Sequence, residues 1–323
     1  EQRGLRFTHA FCNTPQCSAA RSSLLTGLEP HRTGVVTNVD ANSLGKPLPP
    51  ALPNLGNVFR AAGYSTGYFG KWHLGNDTRD LEAFGFSTYH RGKDEAVAAQ
   101  AAEWIRGQRN PWLAVVSMNN PHDIYHFPEL SRTVKPRPGV KPPASGVDNL
   151  AGKPAEQRQY MDKDQGQIAL NYTSGDWIRY RSYYLELVEK VDACLGTVLN
   201  ALDLANTAVI FTSDHGDALG EHGLPFKGPF MYEENLRIPL VIAAPGLEKG
   251  VRDDLATQAD VAPTAASLAG VAWPAPVTGM DLTRRGAASV RIAVFCRKRH
   301  DRPVAIAADF VGVDVPDLFV FGF

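Results

Sequence analysis

Apolar residues follow two alternating patterns along the chain. At helical spacing they run through 54–62, with Gly63 where a C-cap would lie, and through the Ala-rich stretch 95–106. The longest such run is 177–204, where Leu187, Val191, Leu195, Val198 and Leu202 share a face, and a short one, 261–269, ends at Gly270. Between them lie the apolar runs 112–118 and 208–211, the first suiting a strand buried on both faces, and the strand-like stretches 65–69 and 238–243. Helices alternating with such strands predict an α/β layer fold, a mainly parallel central sheet flanked by helices. The stretch 125–174 is polar and Pro-rich, and predicts a long surface insertion of the kind that makes functional contacts. No internal repeat is visible. After residue 282 the pattern turns basic and irregular, then apolar from 304 to 323.

Composition narrows the function classes. With 33 Lys+Arg against 34 Asp+Glu the formal charge is −1, so no nucleic acid or other polyanion is expected as a partner. At 44% hydrophobic and 21% charged, a chain of 323 residues buries a sizeable core and is not of disordered composition. Four cysteines do not make a disulfide framework. No apolar run approaches the roughly 18 residues of a membrane span. The first residues show neither an initiator Met nor a signal-peptide core, so the chain is expected to begin within a longer protein.

Reactive side chains gather in four stretches that an α/β sheet would present near the carboxyl ends of its strands. Cys17 stands four residues before Arg21 at the start of an expected helix, whose N-terminus favours anionic groups. Lys71 and His73, two apart, would share one face if the preceding strand continues, bringing a point charge and a proton-transfer group to one anion. His122 follows Pro121 in a turn directly after the 112–118 strand. Asp214 and His215 close another strand and offer an oxygen and an imidazole to a metal, and Lys227 follows with a positive charge. Each stretch alone also fits a buried structural Cys, a solvated Lys or a satisfied polar turn. The succession of four favours a site.

Together these stretches resemble the type I sulfatases, the formylglycine-dependent branch of the alkaline phosphatase superfamily. Cys17-Ser18-Ala19-Ala20-Arg21, running into Leu24-Leu25-Thr26-Gly27 and Pro30-His31-Arg32-Thr33-Gly34, is similar to the family's first signature, Cys-x-Pro-x-Arg followed by a Leu-Leu-Thr-Gly helix. Gly63 to Gly75 is similar to the second, which ends in Gly-Lys-Trp-His; Phe69 stands where a smaller residue is usual. Asn120-Pro121-His122-Asp123, Thr212-Ser213-Asp214-His215-Gly216, Phe226-Lys227-Gly228 and Arg237-Ile238-Pro239-Leu240 resemble later blocks.

The resemblance implies a catalytic domain over 1–282 and the start of a C-terminal subdomain over 283–323. It implies hydrolysis of a sulfate ester by the hydrate of a formylglycine made from Cys17, with a second hydroxyl available to expel sulfate afterwards. Arg21 and Lys71 would hold the formylglycine and bound sulfate, His73 would assist proton transfer at the hydrate, and His122 with Lys227 would bind sulfate oxygens and support the leaving oxygen. A divalent cation, usually calcium, would rest on Asp214, His215 and the group at position 17. The implied partners are a small-molecule or carbohydrate sulfate ester and a formylglycine-generating maturation enzyme, and the implied location is the periplasm or the exterior. Two departures stand out. The family's adjacent aspartates lie on a first central strand upstream of the signature cysteine, and this sequence starts after that point, so the fold is expected to lack that strand and the metal site two ligands. Ala19 replaces the signature Pro, a form resembling bacterial sulfatases matured by radical enzymes. The competing readings are a phosphonate monoester or phosphodiester hydrolase of the same superfamily, and an inactive truncated homologue.

Overall fold

The structure is a computed structural model that describes residues 3–40, 45–75, 80–146, 150–228, 230–284, 291–297 and 303–309, the last two stretches as backbone. In chain order the elements are β1 (Leu5–Phe11), α1 (Cys17–Thr26), α2 (Pro30–Thr33), α3 (Leu55–Ala61), β2 (Ser65–Gly70), β3 (Thr88–His90), α4 (Asp94–Gly107), β4 (Trp112–Ser117) and α5 (Phe127–Leu130). They continue with α6 (Ala155–Lys163), α7 (Ser174–Leu199), β5 (Val209–Thr212), α8 (Glu233–Leu236), β6 (Leu240–Ala243), β7 (Gly250–Thr257), α9 (Val261–Leu268), β8 (Arg291–Arg297) and β9 (Pro303–Asp309). No helix among the described residues is long and apolar enough to cross a membrane.

Local chemistry sets the helix starts. Asn54 caps α3, its side chain accepting from Gly56 and Asn57 while Asn57 reaches back to the Asn54 amide. Thr173 and Asp176 make the same reciprocal cap on α7. The Ala-rich face of α4 buries Val97, Ala98, Ala101 and Ala102 against β2 and α7, where small side chains allow close approach.

The α/β expectation holds, with one difference in the sheet. The strands form two separate sheets, ordered β3-β2-β4 and β5-β6-β1-β7, with β8-β9 as an antiparallel pair. The first sheet is parallel; in the second β6 runs antiparallel to both β5 and β1, while β1 and β7 are parallel. Among the described strands β4 pairs with β2 alone and β5 with β6 alone, and a cavity of about 920 Å³ lined by both, by α7 and by α9 lies between them. Trp112 to Ser117 and Val209 to Thr212 are all half-buried for this reason, although the 112–118 run reads as a strand covered on both faces.

The stretch 125–174 differs from expectation too. It carries α5, α6 and a 3-10 turn, and it builds its own core from Phe127, Tyr160, Met161 and Ala169 packed with Trp177, Tyr180 and Phe226. Its polar average concealed a few large aromatic residues that bury most of the area there. The expected C-terminal subdomain lies mostly outside the described residues.

Candidate active site

Four chain segments meet at the carboxyl ends of β4 and β5. Cys17 opens α1 and is 1% exposed, so its sulfur sits against the unpaired amides of a helix N-terminus. Its Sγ lies 2.6 Å from Lys227 Nζ, 3.2 Å from His215 Nε2 and 3.9 Å from Lys71 Nζ. Burial alone would push the thiol up, but His215 and Lys227 outweigh it and hold Cys17 well below the ordinary thiol range.

Arg21, one turn along α1, ties three of these segments together. Its Nε donates to Asp214 Oδ2 at 2.9 Å, and its Nη1 donates to the Lys71 carbonyl at 2.8 Å and to Ser117 Oγ at 2.6 Å. Burial would raise the Asp214 carboxyl, yet His215, Arg21 and the two lysines keep it far below the usual carboxylate range.

Lys71 and His73 are not on a strand face. β2 stops at Gly70, which turns the chain with φ +103°, and a Cβ there would stand 2.0 Å from the Ser117 carbonyl. Lys71 then points toward Cys17, and burial with neighbouring Arg21 holds its ammonium below the ordinary lysine range. His73, itself at φ +54°, swings to Asp40: Nε2 donates to Oδ1 at 2.7 Å, and Nδ1 is buried without a partner. The structure therefore unites Cys17, Arg21, Lys71, His122, Asp214, His215 and Lys227, and leaves His73 outside that set of contacts.

The turn that carries His122 is fixed by a carboxylate at the start of α4. Asp94, 5% exposed, accepts from the Asn119 amide at 2.7 Å and the Asn120 amide at 3.0 Å. His122 Nδ1 lies 3.5 Å from Lys71 Nζ. Burial, then Lys71 and Lys227, push His122 down to about 3, so the imidazole is neutral at pH 7. With Nδ1 facing a donor, its proton sits on Nε2.

Cys17, Asp214 and His215 place one ligand atom each within 4.8 Å of one another. His215 Nδ1–H donates to the Gly216 carbonyl at 2.7 Å, which leaves the Nε2 lone pair facing the cluster, the tautomer a metal needs. Lys227 Nζ, 2.8 Å from that nitrogen and 2.6 Å from Sγ, places a positive charge between the same donors. The group thus fits a cation, although one carboxylate and one imidazole are fewer than the six to eight oxygens of a typical calcium site.

Sequence reading missed three supports. Ser117, Tyr125 and Gln258 are residue types without chemical signature. Gln258 Nε2 donates to the carbonyls of Ser213 (2.8 Å) and Asp214 (2.6 Å) and so fixes the strand end that presents the Asp214 carboxylate. Only Tyr125 left a trace in sequence, three residues after His122.

The Sulfatase family model matches residues 1–271. The chain is 29% identical to the uncharacterized sulfatase YidJ of Escherichia coli over 86% of its own length and 63% of that protein. It is 27% identical to a Delta 4,5-hexuronate-2-O-sulfatase of Bacteroides thetaiotaomicron over 88% of its length and 65% of that protein. It therefore spans a little under two thirds of these relatives. Its fold resembles that of a 2-O GAG sulfatase (TM-score 0.79, 23% identity, 90% of this chain and 70% of that one). It also resembles that of the phosphonate monoester hydrolase of Agrobacterium radiobacter (0.74, 23%, 92% and 74%). A family match over more than four fifths of the chain, on a fold whose strand ends assemble all but one of the expected residues, leaves one assignment: the chain belongs to the sulfatase family.

Proposed function

We propose that the protein whose chain this is hydrolyses a sulfate ester to an alcohol and inorganic sulfate, with residue 17 as nucleophile. The observation that carries the reading is the convergence of Lys227, His215 and Lys71 on the buried Cys17 sulfur at a helix N-terminus. Converted to formylglycine, residue 17 would supply a geminal diol, one hydroxyl to attack sulfur and one to expel sulfate. A divalent cation, calcium by family resemblance, would be held by Asp214, His215 and the group at position 17, and would supply Lewis acidity toward the sulfate.

The chain's own residues do the rest. Lys71 and Lys227 bind sulfate oxygens and compensate the charge that develops there, and Lys227 also supports the leaving oxygen beside His122. Arg21 locks the Asp214 carboxylate and the Lys71 backbone in place. His122 donates Nε2–H to the departing alcohol oxygen as the S–O bond breaks and its electron pair passes to that oxygen. Lys71, facing Nδ1, returns a proton to the ring, so the net proton comes from Lys71. By family resemblance, His73 serves the nucleophile's proton transfer.

A sulfated carbohydrate is the substrate class the hexuronate-2-O-sulfatase relative favours. The resemblance to a phosphonate monoester hydrolase supports the second reading, and the Lys71-x-His73 pair favours sulfate over it. The test is the full-length gene product expressed with a maturation enzyme. Mass analysis of the residue-17 peptide should show the aldehyde, 4-nitrophenyl sulfate should be turned over, and Cys17→Ala should abolish turnover. Faster cleavage of a phenyl phosphonate than of the sulfate would select the second reading. No turnover of either, with the aldehyde present, would refute both.

A further inference from the structure

We propose that Tyr125 is a positioning residue that holds His122 and Lys227, two groups from segments about a hundred residues apart, in one register on the leaving-group side of the site. The inference rests on the sulfatase reading above.

Tyr125 lies three residues after His122 on a 3-10 turn, so the two rings share a side, with centroids 4.9 Å apart. Its other contact is Phe226, stacked at 4.1 Å and 10°. Phe226 immediately precedes Lys227 and has φ +58°, a left-handed conformation that a non-Gly residue keeps only where its surroundings impose it. Those surroundings are specific. The Phe226 amide donates to the Tyr180 hydroxyl at 2.9 Å, its carbonyl accepts from the Ala218 amide at 2.7 Å, and its ring packs on Tyr125. The strained residue sets the direction of Lys227, whose ammonium lies 5.9 Å from the Tyr125 ring centre as well as 2.6 Å from Cys17 Sγ. The Tyr125 hydroxyl donates to Gln165 Oε1 at 3.4 Å and also meets the Lys227 backbone amide, so the ring holds His122 and Phe226 while the hydroxyl adds a direct contact to Lys227.

His122 and Lys227 act on the departing oxygen, so loss of the ring should depend on how much help that oxygen needs. The experiment uses the matured full-length protein and two esters: octyl sulfate, whose alkoxide needs a proton, and 4-nitrophenyl sulfate, whose phenolate does not. Tyr125→Leu should lower kcat on octyl sulfate by about tenfold or more and on 4-nitrophenyl sulfate by less than about threefold, with KM little changed. Tyr125→Phe keeps the ring contacts and loses only the hydroxyl's contact to the Lys227 amide, so it should restore most of the lost octyl sulfate rate. Equal losses on the two esters, no loss, or failure of Tyr125→Phe to rescue would overturn the proposal. Should Tyr125→Leu not fold, Phe226→Leu removes the same stack and should give the same split between esters. If the wild type turns over neither ester, the sulfatase reading falls, and binding of inorganic sulfate to the 323-residue chain decides the positioning role. There, about tenfold weaker binding in Tyr125→Leu supports it and equal binding overturns it.

Discussion

Arg21→Ala is expected to be the most destabilising single change in the site short of an inserted proline. The guanidinium and the Asp214 carboxylate are 12% and 14% exposed, so this is a largely buried ion pair. The same side chain also satisfies the Lys71 carbonyl and Ser117 Oγ. Removing one member of a buried pair typically costs about 3–5 kcal/mol; Lys71 and Lys227 still act on Asp214 when Arg21 is gone, so the lower end, about 3 kcal/mol, is expected. Domains of this size have only about 5–15 kcal/mol in total. Arg21→Lys keeps the charge but reaches one of the three acceptors, and should cost about 2 kcal/mol, near the worth of one or two charge-assisted hydrogen bonds. Urea denaturation of the 323-residue chain, followed by far-UV circular dichroism, reads both values. In an Asp214→Asn background Arg21→Ala should cost about 2 kcal/mol less, since no carboxylate charge is involved. The sign with pH follows from Asp214. Its folded carboxyl is held far below the unfolded value near about 3.9, so the pair's contribution is complete above that pH and is lost as the pH falls below it. Costs should therefore match at pH 5 and pH 8. An Arg21→Ala cost under about 1 kcal/mol, or no coupling to Asp214→Asn, would refute the buried-pair account.

Three further outcomes are expected. Hydrogen exchange should find the amides of β4 and β5 that face the cavity far less protected than those paired to β2 and β6; uniform protection would mean that the two edges close on each other or are covered. The His122 ring should read as neutral by nitrogen NMR down to pH 5, and because its folded pKa of about 3 lies below the unfolded value, it should subtract stability progressively as the pH falls from about 6.5 toward 3, an effect His122→Asn removes. Glu221 accepts from the Ala144 and Ser145 amides, the Ser145 hydroxyl and Arg181, so Glu221→Ala should sensitise the 140–146 segment to limited proteolysis while leaving α4 resistant.

The site was legible because its chemistry is concentrated in residue types that are costly to bury without a purpose. Cys17, Arg21, Lys71, His122, Asp214 and Lys227 each sit where an α/β fold places its strand ends, and a sequence shows charge at strand ends directly. What it does not show is which neutral residue receives the charge. Ser117 and Gln258 serve Arg21 and Asp214 through a hydroxyl and an amide that occur on any surface. His73 was misplaced for a backbone reason: Gly70 ends β2 at a left-handed turn, so alternation along the strand no longer says which way the next residues point. β7 was missed because Arg252, Asp253 and Asp254 break the apolar pattern of a strand paired to β1.

The cavity between β4 and β5 and the Cys17 cluster are one continuous space, lined at one end by Cys17, Lys71 and His122 and at the other by Asn110 and Asn206. That continuity links stability to electrostatics. Among the described strands the two that end at the site each have a strand neighbour on one side only, so the elements that hold Ser117 and Asp214 are supported within their sheets from one side. At the same end, Arg21, Lys71 and Lys227 all act on the buried Asp214 carboxylate. Arg21 bridges the two halves, bonding to Ser117 after β2–β4 and to Asp214 after β5. This one side chain joins the two sheets by charge-assisted contacts at the site, which is why its removal should cost both the fold and the proposed chemistry.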